Sequence, residues 1–217
     1  MDPSTRFSDG SNTGEPPAPL CRWPGNWKAD PRRCEPTDEK KRDRRRGLTT
    51  MRWTVSYKAS PIGVALADRH YNRQSKGSAQ FGPPGRTLVL LAGTSKGRAL
   101  WVSTWQKEEF VKHQWPSSWV CSLFRNEGAG LSSELIREAV SATLWHWATT
   151  PDEGMITFVD PSKIKKKRDP GRCFRKAGFV EIGETQKRGR LVLQLRSGDR
   201  PAPAPPLGST LSLPFSS

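Results

Sequence analysis

The sequence predicts an α/β fold in the α+β sense, one mixed β-sheet flanked by helices. Three observations predict it. Between residues 51 and 196, short apolar blocks and alternating runs recur in the manner of buried and half-buried strands. Residues 61–71 and 131–147 instead repeat apolar positions at helical spacing. The stretch from Trp119 to Trp147, WVCSLFRNEGAGLSSELIREAVSATLWHW, feeds one strand through a glycine turn into the longest helix.

The elements follow in order. Residues 1–50 are rich in Pro, Gly, Ser and charge and read as a disordered, basic N-terminal segment. Within it, Lys40–Arg46 (KKRDRRR) suits nonspecific phosphate contacts, and Trp23 and Trp27 read as aromatics that dock on the core or stack on bases. Arg52–Lys58 alternates as a first strand, and Pro61–Tyr71 reads as a helix with proline in its first turn. Asn72–Arg86 is a long Gly/Pro/Ser/Gln loop of the kind that carries function. Thr87–Ala92 and Ala99–Gln106 form a hairpin around a glycine turn, and Lys107–Ser118 is a polar connection bearing aromatics. Trp119–Phe124 is the central strand. Ser132 or Ser133 is the expected cap of the helix behind it, which ends near Ala148. Met155–Asp160 is a buried-type strand, Pro170–Ala177 a short helix closed by Gly178, and Phe179–Thr185 and Arg190–Leu195 the last two strands. A domain over 51–196 is expected, followed by a disordered Pro-rich tail over 197–217.

The formal net charge is +15 over 217 residues, and residues 51–196 alone carry +12 of it. A basic folded domain points to an anionic partner, nucleic acid first. No apolar run is long enough to span a membrane, and residues 1–30 lack the apolar stretch of a signal peptide. Cys21, Cys34, Cys121 and Cys173 are scattered without a CxxC pair, so reduced thiols in a cytoplasm, no disulfide framework and no metal site are expected.

The joint between the central strand and its helix is suited to an anion. A helix start leaves backbone N–H groups without partners, its dipole favours negative charge, and glycine lets a ligand approach the backbone. A Walker loop needs Lys-Ser/Thr after its last glycine, but Leu131-Ser132 follows here; a dinucleotide fingerprint needs a third glycine, which is missing. What remains is Arg125-Asn126-Glu127-Gly128-Ala129-Gly130, an Arg-x-x-Gly-x-Gly turn.

This turn resembles the pyrophosphate loop of the GNAT N-acyltransferases, which cradles the arm of acyl-CoA. Cys173-Phe174-Arg175-Lys176-Ala177-Gly178-Phe179 is similar to the same family's C-terminal motif, an aromatic ahead of Gly-Phe. The element order fits as well, although the family often has a further early helix. His70-Tyr71-Asn72-Arg73, Thr157-Phe158-Val159-Asp160 and Arg172–Phe179 resemble the Mom family of phage DNA-modification proteins, GNAT-like proteins that alter adenine in DNA. The resemblance covers about residues 51–196. It implies acetyl-CoA or another acyl-CoA as donor, DNA as partner, and a bacterial or phage-infected cell as setting. One departure is Phe174, where many family members carry a tyrosine that protonates the departing thiolate; phenylalanine has no proton to give.

Acyl transfer needs a held donor, an amine that loses a proton, and donors for the oxyanion. Arg125, Asn126, Gly128, Ala129, Gly130 and Leu131 are the candidate cofactor-binding residues, with Arg125 able to fork onto phosphate. His70, Glu127 and Asp160 are candidate bases, and Tyr71 is the candidate phenol, since Tyr57 is the only other tyrosine. Lys163, Lys165, Lys166, Lys167, Arg168, Arg172 and Arg175 form an expected basic rim for nucleic acid, with Trp115 as a stacking aromatic. Two alternatives stand beside the nucleic-acid acyltransferase. One is an acetyl-CoA-dependent N-acetyltransferase of a small-molecule or protein amine. The other is a non-enzymatic DNA- or RNA-binding protein on the same scaffold.

Overall fold

The computed structural model describes residues 51–79, 84–107, 109, 111, 113–164 and 169–209. The N-terminal segment with Trp23, Trp27 and the KKRDRRR run lies outside the described residues, as do Lys165, Lys166, Lys167 and Arg168.

Seven strands form one mixed sheet in the order β1-β2-β3-β4-β5-β7-β6. They are β1 (Trp53–Ser56), β2 (Gly85–Thr94), β3 (Gly97–Gln106), β4 (Trp119–Glu127), β5 (Met155–Val159), β6 (Val180–Glu184) and β7 (Leu191–Leu195). The helices are α1 (Pro61–Asp68), α2 (Ser132–Trp147) and α3 (Arg172–Lys176). All strand pairs are antiparallel except β4–β5. The predicted mixed sheet with few helices is therefore present. No helix among the described residues is long and apolar enough to cross a membrane.

Side-chain alternation divides the core between the two sheet faces. On β3, Ala99 and Trp101 join the cluster formed with Leu135, Ile136, Ala139 and Val140 of α2 and Phe174 of α3. Leu100 and Val102 point the other way and join Leu66 and Ala67 of α1. Helices thus cover both faces, and β3 is buried on each.

The decisive irregularity is in β4. Val102 pairs Leu123 while Ser103 pairs Cys121, so Ser122 is an extra residue on β4, a β-bulge that bends the strand. β4 and β5 pair only at Trp119–Met155, Val120–Ile156 and Cys121–Thr157. Past the bulge, β4 stays with β3 as far as Asn126, β5 stays with β7, and a gap opens between them.

Two expectations need correction. β4 runs to Glu127 rather than ending at Phe124, so Arg125, Asn126 and Glu127 are strand residues and the turn is confined to Gly128–Gly130. Its charged end reads as a loop in sequence, but backbone pairing to β3 holds it extended. The second lies in the expected tail over 197–217: residues 200–209 form a strap over the domain. Ser141 Oγ donates to the Ala202 carbonyl, Ala204 N–H donates to Ser141 O at 3.2 Å, and Leu207 N–H donates to Trp53 O at 2.8 Å. Proline removes four of the strap's ten backbone donors, and Ala204 and Leu207 use theirs for docking.

Candidate functional site

The turn at the end of β4 is built by its side chains and glycines. Asn126 accepts from Ala129 N–H at 3.0 Å and donates to Gly130 O at 2.8 Å and Ser132 Oγ at 2.9 Å. Its amide holds the turn. Gly128 has φ 91°, and a Cβ there would come within 2.8 Å of Lys96 O, so close backbone approach as well as dihedral angle requires glycine. Contrary to the expected serine cap, Leu131 is the N-cap residue of α2, and no side-chain cap occurs among the described residues. Ser132 is instead engaged by Asn126, and the start of α2 presents its backbone N–H groups without a capping oxygen.

Beside this start lies a cavity of about 920 Å³. Phe124, Arg125 and Asn126 from β4, Val159 from β5, Leu131–Ser133 from α2, and Phe174 and Lys176 from α3 line it. Phe174 is buried between Phe124 (5.9 Å between ring centres) and Phe179 (5.3 Å), and forms an apolar wall. Arg69, Arg125, Lys163, Arg172 and Lys176 supply positive charge, against Asp169.

The candidate catalytic residues stand where the strands part. α1 ends at Asp68, three residues earlier than expected, so His70 and Tyr71 lie in the turn after it. His70 Nδ1 accepts from Asn72 N–H at 3.2 Å. In a neutral ring the proton then sits on Nε2. Burial first, and the charge of Arg125 second, lower its pKa to about 4, so the ring is neutral near pH 7. Tyr71 stacks on His70 with ring centres 4.4 Å apart. Its hydroxyl oxygen accepts from Asp160 N–H at 3.4 Å, and loss of solvent raises its pKa. Asp160 Oδ1 accepts from the Ser162 hydroxyl (2.6 Å) and N–H (3.0 Å) and caps the short turn Pro161–Lys163. Those bonds, helped by Arg190 and Lys163, hold its carboxyl below the usual range. Oδ2 makes no hydrogen bond among the described residues and lies 4.0 Å from Arg190 Nε.

Glu127 is placed differently from a base. Arg69 forks onto it at 2.8 and 2.7 Å, and Arg125 Nε donates at 2.8 Å. The Arg69 hydrogen bonds, followed by those of Arg125, drive its pKa down to about 2. Arg125 also donates to Arg69 O at 2.6 Å. Glu127 therefore fixes two arginines at the cavity mouth.

Tyr71 and Lys163 also line a second cavity, with Asp160, Arg188 and Arg190. Asn72, Arg73, Gln74 and Arg190 connect that one to a third, of about 450 Å³, which Ser122, Leu123 and Phe158 line from the parted strands. Tyr71 thus stands where the large cavity meets the smaller pair.

Of the expected rim, Lys163 and Arg172 line the large cavity. Arg175 does not; it is ion-paired with Asp169 and with Glu181 (2.9 Å). Trp115 is half-buried beside His113 and lines none of these cavities. Arg69, Gln106, His113, Phe158 and Arg190 line the cavities without having been expected there. Nothing in spacing could have found Arg190, which reaches the site only because β7 inserts between β5 and β6. No group of His, Cys, Asp and Glu able to hold a metal ion occurs among the described residues. Comparison with known proteins finds no family model that matches this chain, and no curated protein or solved structure that matches it.

Proposed function

We propose that this chain is a GNAT-like acyltransferase that acts on nucleic acid, with an adenine amine in DNA as the acceptor, as in Mom-type proteins. The observation that carries the reading is the parting of β4 and β5 after Cys121, directly beside the uncapped start of α2. It opens a cation-lined cavity towards α2 and α3 and smaller chambers on the other side of Tyr71.

The large cavity fits the donor in size and chemistry. The start of α2, which has no side-chain cap among the described residues, together with Arg125, Lys163 and Arg172, suits a pyrophosphate, and the Phe124–Phe174 wall suits an apolar arm. Acyl-CoA supplies an acyl group activated as a thioester. His70 is neutral and keeps its proton on Nε2, so it serves as a hydrogen-bond donor. Tyr71 replaces the phenol that Phe174 lacks: its oxygen takes the Asp160 N–H bond, which leaves its own proton to give. Asp160 Oδ2 is the acceptor for an amine proton. Phe174 in place of a tyrosine favours the non-enzymatic alternative, and the position of Tyr71 beside the cavity weighs against it.

Calorimetric titration of the full chain with CoA tests the donor half of this reading. We expect one saturable site, weakened about tenfold or more by Arg172→Glu, since reversing a charge beside phosphate costs at least ~1.4 kcal/mol. Absence of CoA binding in the wild-type chain would refute it.

A further inference from the structure

The third chamber contains hydrogen bonds with a fixed direction. Trp115 N–H donates to His113 Nδ1 at 3.2 Å. A neutral imidazole that accepts at Nδ1 carries its proton on Nε2. Burial lowers the pKa of His113 and favours that neutral ring. Nε2–H therefore donates to Gln106 Oε1, at 2.7 Å. This uses the oxygen of the Gln106 amide and leaves its NH2 group as a donor, with no hydrogen bond among the described residues.

Gln106 ends β3 and lines the chamber with Phe158 and Arg190. Phe158 packs beside His113 with ring centres 5.7 Å apart, so one wall is a flat aromatic. Arg190 Nε is buried, makes no hydrogen bond among the described residues and faces Asp160 Oδ2 at 4.0 Å. The chamber thus joins an aromatic side chain and the Gln106 amide donor, in a volume of about 450 Å³ suited to a small ring compound. Every nucleobase offers a π-face, and the bases differ in the acceptors along their edges.

We infer that this chamber seats one unpaired nucleobase of a polynucleotide. Phe158 is the stacking wall, Gln106 is the residue that reads an acceptor on the base edge, and His113 is the positioning residue that fixes the Gln106 amide. The inference rests on the nucleic-acid reading above and adds the site and the specificity residue. A polynucleotide is the source because the folded domain carries a net +12.

The test is fluorescence anisotropy of the full chain with labelled DNA duplexes, fully paired or with one bulged A, C, G or T. The wild-type chain should bind one bulged duplex about fivefold or more tighter than the others, the effect of one well-placed hydrogen bond. Gln106→Met should remove this preference but leave paired-duplex affinity and the thermal midpoint unchanged. His113→Phe should reduce the preference in the same way. Phe158→Ala should weaken every bulged duplex and spare the paired one. Equal binding of paired and bulged duplexes, or a preference that survives Gln106→Met, would overturn the base pocket and leave the acyltransferase reading standing. Failure to bind any DNA would overturn both. Full competition by the matching free nucleoside at equal concentration would overturn a polynucleotide as the source.

Discussion

Tyr71 and His70 show at the residue scale how the environment changes the chemistry of a side chain. The sequence distinguished Tyr71 by scarcity, and the structure adds that Tyr57 is 64% exposed and lines none of the three cavities. Tyr71→Phe should therefore lower single-turnover acyl transfer by about 10²-fold or more while thermal stability stays unchanged. An undiminished rate would remove the phenol from the chemistry. His70 stood out in the sequence as a base, but its Nδ1 is occupied and its pKa is held near 4, against 6.5 for a free imidazole. Below pH 6.5 an unfolded chain takes up a proton at His70 that the folded chain does not, so stability is full above that pH and falls as pH drops towards 4. His70→Phe should flatten this fall between pH 7 and 5, measured by urea unfolding; an unchanged slope would show that the imidazole is not buried neutral. Neither the tautomer nor the burial was legible in the sequence, because both come from contacts made by the turn after α1.

At the element scale, β4 with its turn and α2 was the most legible part. Its apolar block, paired glycines and helical periodicity are local signals. The bulge at Ser122 was not legible, since an extra residue appears only against the register of β3. The strand also hid its charged end: Arg125–Glu127 reads as a turn in sequence, and backbone pairing to β3 carries the strand into it. Gly128→Ala should cost about 1–3 kcal/mol from its positive φ and also weaken CoA binding, to be measured by urea unfolding and calorimetry. Arg52 tells a similar story. It bonds the buried Glu138 of α2 through Nε (3.1 Å) and Nη2 (2.5 Å), although sequence marks Glu138 only as an early helical acid. Arg52→Ala should destabilise by about 3 kcal/mol because it leaves a buried carboxylate without its partner. A loss under ~1 kcal/mol would mean that the pair is no more than a surface contact.

At the scale of the whole molecule, composition showed the basic charge and apolar periodicity the mixed α/β class, while long-range assembly supplied the rest. The site gathers the end of α1, two strands that part, the start of α2, the start of α3 and Arg190 just ahead of β7, which no linear spacing encodes. The Pro-rich segment misled for a physical reason: an extended strap has neither helical nor alternating periodicity, yet Leu207 bonds Trp53 at the sheet edge. Removing residues 200–217 should lower the melting temperature by several degrees, since a loss of about 1–2 kcal/mol shifts a domain of this size by that much; an unchanged melting temperature would show that the strap does not support the fold. The proposed reaction joins the two sides of the parted strands: a donor held beside α2 and a base amine beyond Tyr71. Mass spectrometry of nucleosides from the DNA of cells producing the chain, beside cells producing Tyr71→Phe, tests it most directly. The wild-type chain should give a new adenosine-derived mass that is strongly reduced with the variant; unmodified nucleosides in both, from cells that contain folded protein, would overturn the reading.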